Sequence, residues 1–189
     1  MAATVALRTT RRFTVREYER MVERGVFVGL DRIELLDGEI VQKPQPGPRA
    51  VRCIVKLHAL LHRACLDGCT VGRQLPLMLD PTSEPEPDLL VFRTRQRAAH
   101  LTADDILLVI EVSDSSLTYD RERKFPRYAA ADIPEAWIFD VFAGILERHT
   151  EPFEGRYRRV ETVRSGESLP STTLPALILA VDDILAEDE

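Results

Sequence analysis

The sequence predicts an α/β (α+β) fold in which a central mixed β-sheet is flanked by helices. The first observation is a strand–helix–strand unit from Ile106 to Asp140, which joins parallel strands by a crossover. The second is a set of apolar, β-prone runs: Asp88–Phe92 precedes this unit, and Ile145–His149 and Tyr157–Val163 follow it as antiparallel strands. Strands and helices mixed along one chain favour helices packed on a single sheet.

The N-terminal part of the chain predicts a helix followed by a hairpin. Thr14 and Glu17 have the spacing of a capping box, and the helix that they begin is expected to stop at Gly25. Asp37-Gly38 separates two short β-prone runs within Arg32–Val41, which is the strongest short signal for a β-hairpin. We therefore expect a helix and a hairpin ahead of the sheet.

The other elements are predicted from periodicity and from the residues that interrupt it. A rigid segment, Pro44–Pro48, leads into a helix over 49–65 that carries, near one face, Val51, Ile54, Val55, His58, Leu61 and His62. The further elements are a strand over 71–79, a polar connection over 93–105, a helix over 119–131 with Pro126 in its first turns, and a closing segment over 177–186 that suits a short helix.

Composition and charge exclude several classes of protein. The 189 residues are 44% hydrophobic, which suits one globular domain; we assign residues 13–189 to it and residues 1–12 to a flexible tail. No apolar run has the roughly 20 residues of a membrane-spanning helix, so no membrane partner is expected. A net charge of −6 argues against a protein that coats nucleic acid nonspecifically.

The three cysteines, Cys53, Cys65 and Cys69, are an odd number for a chain of this size. This is typical of a reducing compartment, so we expect no disulfide framework and a cytoplasmic location. Cys65 and Cys69 could form a zinc site with His58 and His62, which share a helix face. The absence of paired Cys-X2-Cys spacing favours histidines that pack or cap instead.

Two carboxylates interrupt apolar runs. Asp88 precedes Leu89–Phe92 and Glu111 lies within Leu107–Ser113, so both belong to buried strands. A buried carboxylate must be paired, hydrogen-bonded or bound to a metal, because burying it alone costs too much free energy. If the two strands pair, the carboxylates converge, and with the main-chain carbonyl of Val112 they would suit Mg²⁺ or Mn²⁺. The alternative is a pair of strand-end carboxylates held by arginines.

The helix after the second acidic strand carries basic residues. Lys124 could orient an attacking water or neutralise charge on phosphate oxygens, and two acids with a lysine are the parts of a metal-dependent phosphodiesterase. Arg121 and Arg123 are candidate substrate contacts that could grip a nucleic-acid backbone, or they could form a solvated face paired with Glu122. Asp114–Ser116 either caps this helix or contacts phosphate.

These residues carry a resemblance to known nucleases. Pro87-Asp88 followed by Glu111-X-Ser113 resembles the paired motif of the PD-(D/E)XK nuclease superfamily. The chain also resembles the Uma-type family of putative restriction endonucleases, and the segments that carry this resemblance are Arg32–Glu39, Glu86–Leu89, Val109–Ser113, Asp120-X3-Lys124-X3-Tyr128 and Ile133–Asp140.

The resemblance implies a restriction-endonuclease-like core and a role for each matching residue. Asp88 and Glu111 would be the metal ligands, and Glu34 would complete the acidic cluster from the hairpin. Ser113 stands where the superfamily usually has a lysine and becomes a candidate substrate contact. Lys124, on the following helix, would take the place of that lysine. The resemblance also implies DNA as the substrate, Mg²⁺ or Mn²⁺ as the cofactor, and pairing as a homodimer.

The chain departs from the family pattern outside this set of acids and lysine. Ile33 and Ala136 stand where tyrosines are usual, and no histidine opens the helix that begins at Arg49. The predicted function is a Mg²⁺-dependent endonuclease that hydrolyses DNA. The alternatives are a non-catalytic nuclease-fold protein that binds nucleic acid or a protein partner, and a hydrolase of small phosphoesters.

Overall fold

A computed structural model of the chain describes residues 10–65, 68–94 and 101–186. Most of the predicted tail, residues 1–12, lies outside these residues. The helices are α1 (Val15–Glu23), α2 (Pro48–Ala64), α3 (Leu117–Tyr119), α4 (Phe125–Ala130) and α5 (Val181–Leu185), with a π-helical turn (Asp120–Lys124) between α3 and α4 and a 3-10 turn at Ala103–Asp105. The strands are β1 (Ile33–Leu36), β2 (Glu39–Gln42), β3 (Cys69–Arg73), β4 (Leu77–Met78), β5 (Leu89–Arg93), β6 (Leu101–Thr102), β7 (Ile106–Ser113), β8 (Glu135–Asp140), β9 (Ile145–Phe153), β10 (Arg156–Val163), β11 (Ser168–Pro170) and β12 (Ile178–Ala180). None of the described helices is long and apolar enough to cross a membrane.

Six strands form the central sheet, in the order β10–β9–β8–β7–β5–β3. Neighbouring strands run antiparallel except β7 and β8, which are parallel. Parallel strands cannot be joined by a tight turn, and the chain from β7 to β8 crosses over through α3 and α4. The predicted α/β (α+β) fold with a mixed sheet flanked by helices is confirmed.

Helices cover both faces of this sheet. Residues of α2 and α5 pack on one face, to which β7 contributes Leu108, Ile110 and Val112. On the other face, α4 packs through Phe125 and other residues. Because successive side chains of a strand point to opposite faces, Glu111 lies on the α4 face. The alternation of β7 therefore directs one carboxylate toward the crossover helix.

Helix α2 buries a different face from the expected one. Val51 and Val55, which the periodicity placed with Ile54 and Leu61, are exposed. The side chains that α2 buries are Ala50, Cys53, Ile54, Leu57 and Leu61. The helix carries apolar residues on more than one side, so the packing of the sheet, not periodicity, decides which side is covered.

Three further elements differ from their predictions. The strand expected over 71–79 is divided into β3 and β4, and Gln74, with a φ of 50°, lies between them. The helix expected over 119–131 contains the π-helical turn just before Pro126, a residue without the N–H that a continuous helix would need. The closing segment forms β12 before α5, and β12 pairs with β11, a strand that the sequence did not indicate.

The predicted hairpin docks on the segment that leads into β5. Strands β1 and β2 pair antiparallel, and Asp37 and Gly38 both have positive φ, as a two-residue type I′ turn requires. Leu35 and Glu84 exchange backbone hydrogen bonds of 2.8 and 3.3 Å. This contact brings Glu34, which has no exposed surface, next to the start of β5.

One disulfide bond is present, although no disulfide framework was expected from the cysteine count. Cys65 and Cys69 are joined by a disulfide bond, and Cys53 is free and buried. The two cysteines have a Cα–Cα distance of 5.7 Å, which a disulfide can span. An odd number of cysteines means that at least one of them stays free, but it does not exclude one disulfide bond. The count therefore no longer supports the predicted reducing, cytoplasmic location.

A buried carboxylate holds the loop after β11 against the sheet. Glu135 has no exposed surface, and its Oε1 accepts a hydrogen bond of 2.7 Å from Nε1 of Trp137. Its Oε2 accepts hydrogen bonds from hydroxyl and backbone N–H groups of residues 171–173. The loop and the sheet are thus joined through one side chain.

We expect Glu135→Gln to lower the free energy of unfolding by about 1–3 kcal/mol, because the new amide N–H₂ faces buried donors that lose their acceptor. Urea unfolding followed by the fluorescence of Trp137, the single tryptophan, measures the change. Glu23→Gln, at an exposed acid of α1, is the matched control and should stay within about 0.5 kcal/mol of the wild type. An unchanged midpoint for Glu135→Gln would contradict this account.

Candidate active site

A pocket of about 200 Å³ lies where the hairpin, the start of β5, the end of β7 and the π-helical turn meet. Buried charge of this density is typical of functional sites. Five acidic and three basic side chains line the pocket: Glu34, Asp88, Glu111, Asp114, Asp120, Arg32, Lys43 and Lys124.

Glu111 and Lys124 form the buried centre of this pocket, and each is 1% exposed. Nζ of Lys124 donates to Oε1 of Glu111 at 2.8 Å, and the hydroxyl of Tyr128 donates to the same oxygen at 2.6 Å. Burial acts to raise the pKa of Glu111, but Lys124, Lys43 and Tyr128 together hold the pKa below its ordinary value. Burial likewise acts to lower the pKa of Lys124, yet Glu111 and then Glu34 hold that pKa well above its ordinary value. The pair is a carboxylate and an ammonium.

The π-helical turn orients Lys124 toward the sheet. Asp120, Lys124 and Tyr128 follow one another at intervals of four residues, and all three are buried. Residues at this spacing share a helix face. Single π-helical turns within helices are frequent at functional sites. This turn therefore supplies the pocket with both an acid and a base from one face of the crossover.

Asp88, directly before β5, faces the same pocket. Its Oδ2 accepts a hydrogen bond of 3.0 Å from the backbone N–H of Val112. Its Oδ1 lies 3.5 Å from Nη2 of Arg32 and 3.9 Å from Nζ of Lys43. Burial, and then the charge of Glu111, raise the pKa of Asp88 above its ordinary value. The two strand carboxylates meet at this pocket, as the pairing of β5 with β7 requires.

Glu34 reaches the same place from the hairpin. Its Oε2 accepts a hydrogen bond of 3.1 Å from the backbone N–H of Glu86 and lies 3.2 Å from Nζ of Lys124. The hydroxyl of Tyr119 lies 3.5 Å from its Oε1. Lys124 therefore bridges an acid of the hairpin and an acid of the sheet.

The chemistry of this pocket fits a divalent metal. Carboxylate and carbonyl oxygens are the ligands that Mg²⁺ and Mn²⁺ prefer. The hydrogen bonds from Lys124 and Tyr128 both end on Oε1 of Glu111. The N–H of Val112 points to Asp88, and since the N–H and C=O of one strand residue lie on the same side, its carbonyl points that way too.

Two side chains alone do not complete a metal site. Within residues 10–65, 68–94 and 101–186, no group of three or more His, Cys, Asp or Glu side chains is placed to hold a metal ion. A metal in the pocket would therefore need the main-chain oxygen of Val112 and water as additional ligands. The lining acids exceed the lining bases by two, which is the charge of one such ion.

Three predicted contacts lie elsewhere. The hydroxyl of Ser113 donates to Oδ2 of Asp120 at 2.6 Å, and Ser113 does not line the pocket. Arg121 forms an ion pair with Glu147 of β9. Arg123 lies 3.2 Å from a carboxylate oxygen of Glu39 in the hairpin. None of these three lines the pocket, and their role as substrate contacts stays a prediction.

Sequence reasoning missed Arg32, Lys43, Tyr119 and Tyr128 as members of this site. Arg32 and Lys43 flank the hairpin, and the carbonyl of Arg32 accepts a 2.8 Å hydrogen bond from the N–H of Lys43. The register of the Asp37-Gly38 hairpin could have placed these two residues opposite each other. Nothing in the local sequence indicates that the hairpin docks beside Asp88.

Two further motifs have structural roles. The rings of His58 and His62 contact each other edge to face on α2, with centroids 4.6 Å apart, as a packing role predicts. Oδ2 of Asp114 accepts a hydrogen bond of 2.7 Å from the backbone N–H of Gly47. Asp114 therefore holds the start of α2 beside the pocket and does not cap the helix that follows it.

Comparisons with known proteins indicate the family and the fold of the chain. The sequence model of Uma2, described as a putative restriction endonuclease, matches residues 15–182. The crystal structure of a putative nuclease belonging to DUF820 from Anabaena variabilis ATCC 29413 has a similar fold, with a TM-score of 0.66 over 81% of this chain and 89% of that chain. The two sequences are 14% identical, so this likeness establishes the fold alone. No curated protein sequence matches the chain.

The buried acid Asp120 makes the stability of the pocket depend on pH. Burial, and then the charge of Glu111, raise the pKa of Asp120 to about 6, although Ser113 and Ser116 donate hydrogen bonds to it. Because this pKa lies above that of the unfolded chain, the neutral acid favours the fold. That contribution is complete below about pH 4 and is lost as the pH rises through about 6.

We expect Asp120→Asn, which stays neutral, to gain stability relative to the wild type as the pH rises. Between about pH 5 and about pH 8, the difference in unfolding free energy should grow by about 1–2 kcal/mol in favour of the variant. Urea unfolding at both pH values measures it, with Asp104→Asn at an exposed acid as the control. A difference that is constant with pH would contradict the raised pKa.

Proposed function

The chain belongs to the Uma2 family of putative restriction endonucleases, and we propose that it is a metal-dependent endonuclease that hydrolyses phosphodiester bonds of DNA. The observation that carries this proposal is the convergence of Glu34, Asp88, Glu111 and Lys124 on one pocket. The nuclease-like fold supports it. DNA as the substrate follows from the description of the family.

In this proposal Asp88, Glu111 and the carbonyl of Val112 hold a divalent ion, Mg²⁺ or Mn²⁺. Such an ion supplies polarisation of the scissile phosphate and a bound water of lowered pKa. Asp88 must be ionised to bind a cation, and its raised pKa means that binding weakens as the solution becomes more acidic. Glu34 supports the cluster by holding Lys124.

Lys124 acts in this proposal as a fixed cation. Its raised pKa keeps it protonated at neutral pH, so it donates hydrogen bonds and does not remove a proton from water. An ammonium held by Glu34 and Glu111 can orient the attacking water and stabilise negative charge that develops on the phosphate oxygens. Tyr128 helps to fix the same oxygen of Glu111.

Of the three remaining expectations, two come from the resemblance and the third, the location, comes from the cysteine count. They are the choice of Mg²⁺ over Mn²⁺, the pairing of two copies as a homodimer, and a cytoplasmic location. Each stays a prediction.

Metal binding tests the assigned ligands. Isothermal titration calorimetry should detect Mn²⁺ binding to the wild type, weakened by at least about tenfold in Asp88→Asn and in Glu111→Gln. Asp114→Asn is a demanding control because it lines the same pocket but is bound to Gly47. Absence of Mn²⁺ binding, or binding unaffected by Asp88→Asn, would instead support a non-catalytic nuclease-fold protein that binds nucleic acid or a protein partner.

Cleavage tests the assigned cation. Wild-type protein with Mg²⁺ or Mn²⁺ should convert supercoiled plasmid to nicked or linear DNA, and Lys124→Gln should slow this by at least about 100-fold. Lys56→Gln, on α2, removes an equal charge outside the pocket and should keep the wild-type rate. Thermal melting verifies that each variant is folded. Wild-type protein that cuts neither duplex nor single-stranded DNA, or a fully active Lys124→Gln, would contradict the proposal.

A further inference from the structure

Two cations that flank the hairpin, Arg32 and Lys43, lie beside Asp88 in the pocket. Their side chains are 17% and 12% exposed, against 1% for Lys124. Both line the pocket. They therefore lie nearer to its mouth, where a substrate enters.

Main-chain carbonyls hold these two cations in place. Lys43 donates a hydrogen bond of 2.5 Å from Nζ to the carbonyl of Glu86, and Arg32 donates one from Nη1 to the carbonyl of Pro44. Their distances to Oδ1 of Asp88, 3.9 and 3.5 Å, exceed those of good hydrogen bonds. The backbone of Arg32 has a φ of 59°, a conformation that residues other than glycine rarely adopt and that is frequent at functional sites.

The charges around Arg32 and Lys43 indicate what kind of group these two side chains would bind. Glu34, Asp88 and Glu111 carry three negative charges, and the three cations Arg32, Lys43 and Lys124 lie within 4 Å of them. A divalent cation on Asp88 and Glu111 would leave these six groups with excess positive charge. The two other acids that line the pocket, Asp114 and Asp120, already accept hydrogen bonds from neighbouring groups. A phosphate group at Arg32 and Lys43 would reduce that excess, and both side chains are natural phosphate ligands.

We infer that Arg32 and Lys43 form a phosphate subsite that takes a phosphodiester of the substrate strand when the acids hold a divalent ion. This inference rests on the proposed function. It makes ion binding and phosphate binding mutually dependent, since each favours the other by the same free energy. Lys43 opposes the ion when the phosphate is absent and attracts the phosphate when the ion is present.

The first experiment measures the ion alone. Calorimetric titration with Mn²⁺ in the absence of DNA should show binding about tenfold tighter to Lys43→Gln than to the wild type, because a nearby like charge is removed. Lys56→Gln, which lines a different depression with Arg63 and Asp183, is the matched control and should bind Mn²⁺ like the wild type.

The second experiment measures the phosphate. The probe is a short DNA duplex with single-stranded ends and phosphorothioate linkages that resist cleavage. Fluorescence anisotropy measures its binding in the presence of Mn²⁺ over a series of salt concentrations. Lys43→Gln should bind about tenfold more weakly, and its slope of log affinity against log salt should fall by about one. Arg32→Gln should change both quantities in the same direction, and Lys43→Arg should keep the wild-type affinity because it retains the charge.

The directions in which the affinities for Mn²⁺ and for DNA change, taken together, distinguish the outcomes. Tighter Mn²⁺ binding together with weaker DNA binding supports the subsite, and a merely structural role would weaken both. If the wild type binds Mn²⁺ but Lys43→Gln and Arg32→Gln both bind DNA as it does, the subsite is wrong and the proposed function stands. If the wild type binds no Mn²⁺, the proposed function fails and the subsite fails with it.

Discussion

The ion pairs of one buried lysine constrain the whole site. The ammonium of Lys124 lies 2.8 Å from Glu111 on the sheet and 3.2 Å from Glu34 on the hairpin. Removing one partner of a buried pair typically costs about 3–5 kcal/mol, because the remaining charge stays buried without compensation. The crossover helix, the sheet and the hairpin are therefore held together by the contact that also defines the pocket. In the proposed function, the chemistry depends on the same three side chains that join these elements.

The hairpin adds an acid and two cations to the pocket. Without it, the sheet and the crossover would provide one lysine and four acids; with it, the pocket gains Glu34, Arg32 and Lys43. The added acid fixes Lys124, and the added cations lie against Asp88. The three acids and three cations that lie within 4 Å of one another balance in charge without a metal, whereas the pocket as a whole has two more acids than bases. In our inference, this cluster attracts a phosphate anion when a divalent ion joins the acids.

Local patterns predicted the elements that need only local signals, such as the Asp37-Gly38 turn and the strand Ile106–Ser113. Convergence of the two acids was expected if their strands paired, Lys124 was a candidate from its position after the second acidic strand, and the resemblance added the hairpin acid Glu34. The place of Lys43 in the pocket could not be predicted, because it depends on how the hairpin docks on a segment about fifty residues away. The hydrogen bond from the backbone N–H of Glu86 to Glu34 is part of that contact. The buried face of α2 and the Cys65–Cys69 bond likewise depend on how distant elements pack.

The central claim is that the converged acids hold a divalent ion with Lys124 beside it. A crystal structure of the protein soaked in Mn²⁺ tests this directly, because the anomalous scattering of manganese locates the ion without reference to the protein. The account predicts one strong peak within coordination distance of Asp88, Glu111 and the carbonyl of Val112. A structure at saturating Mn²⁺ with no peak there, and with Arg32 and Lys43 still against Asp88, would contradict it.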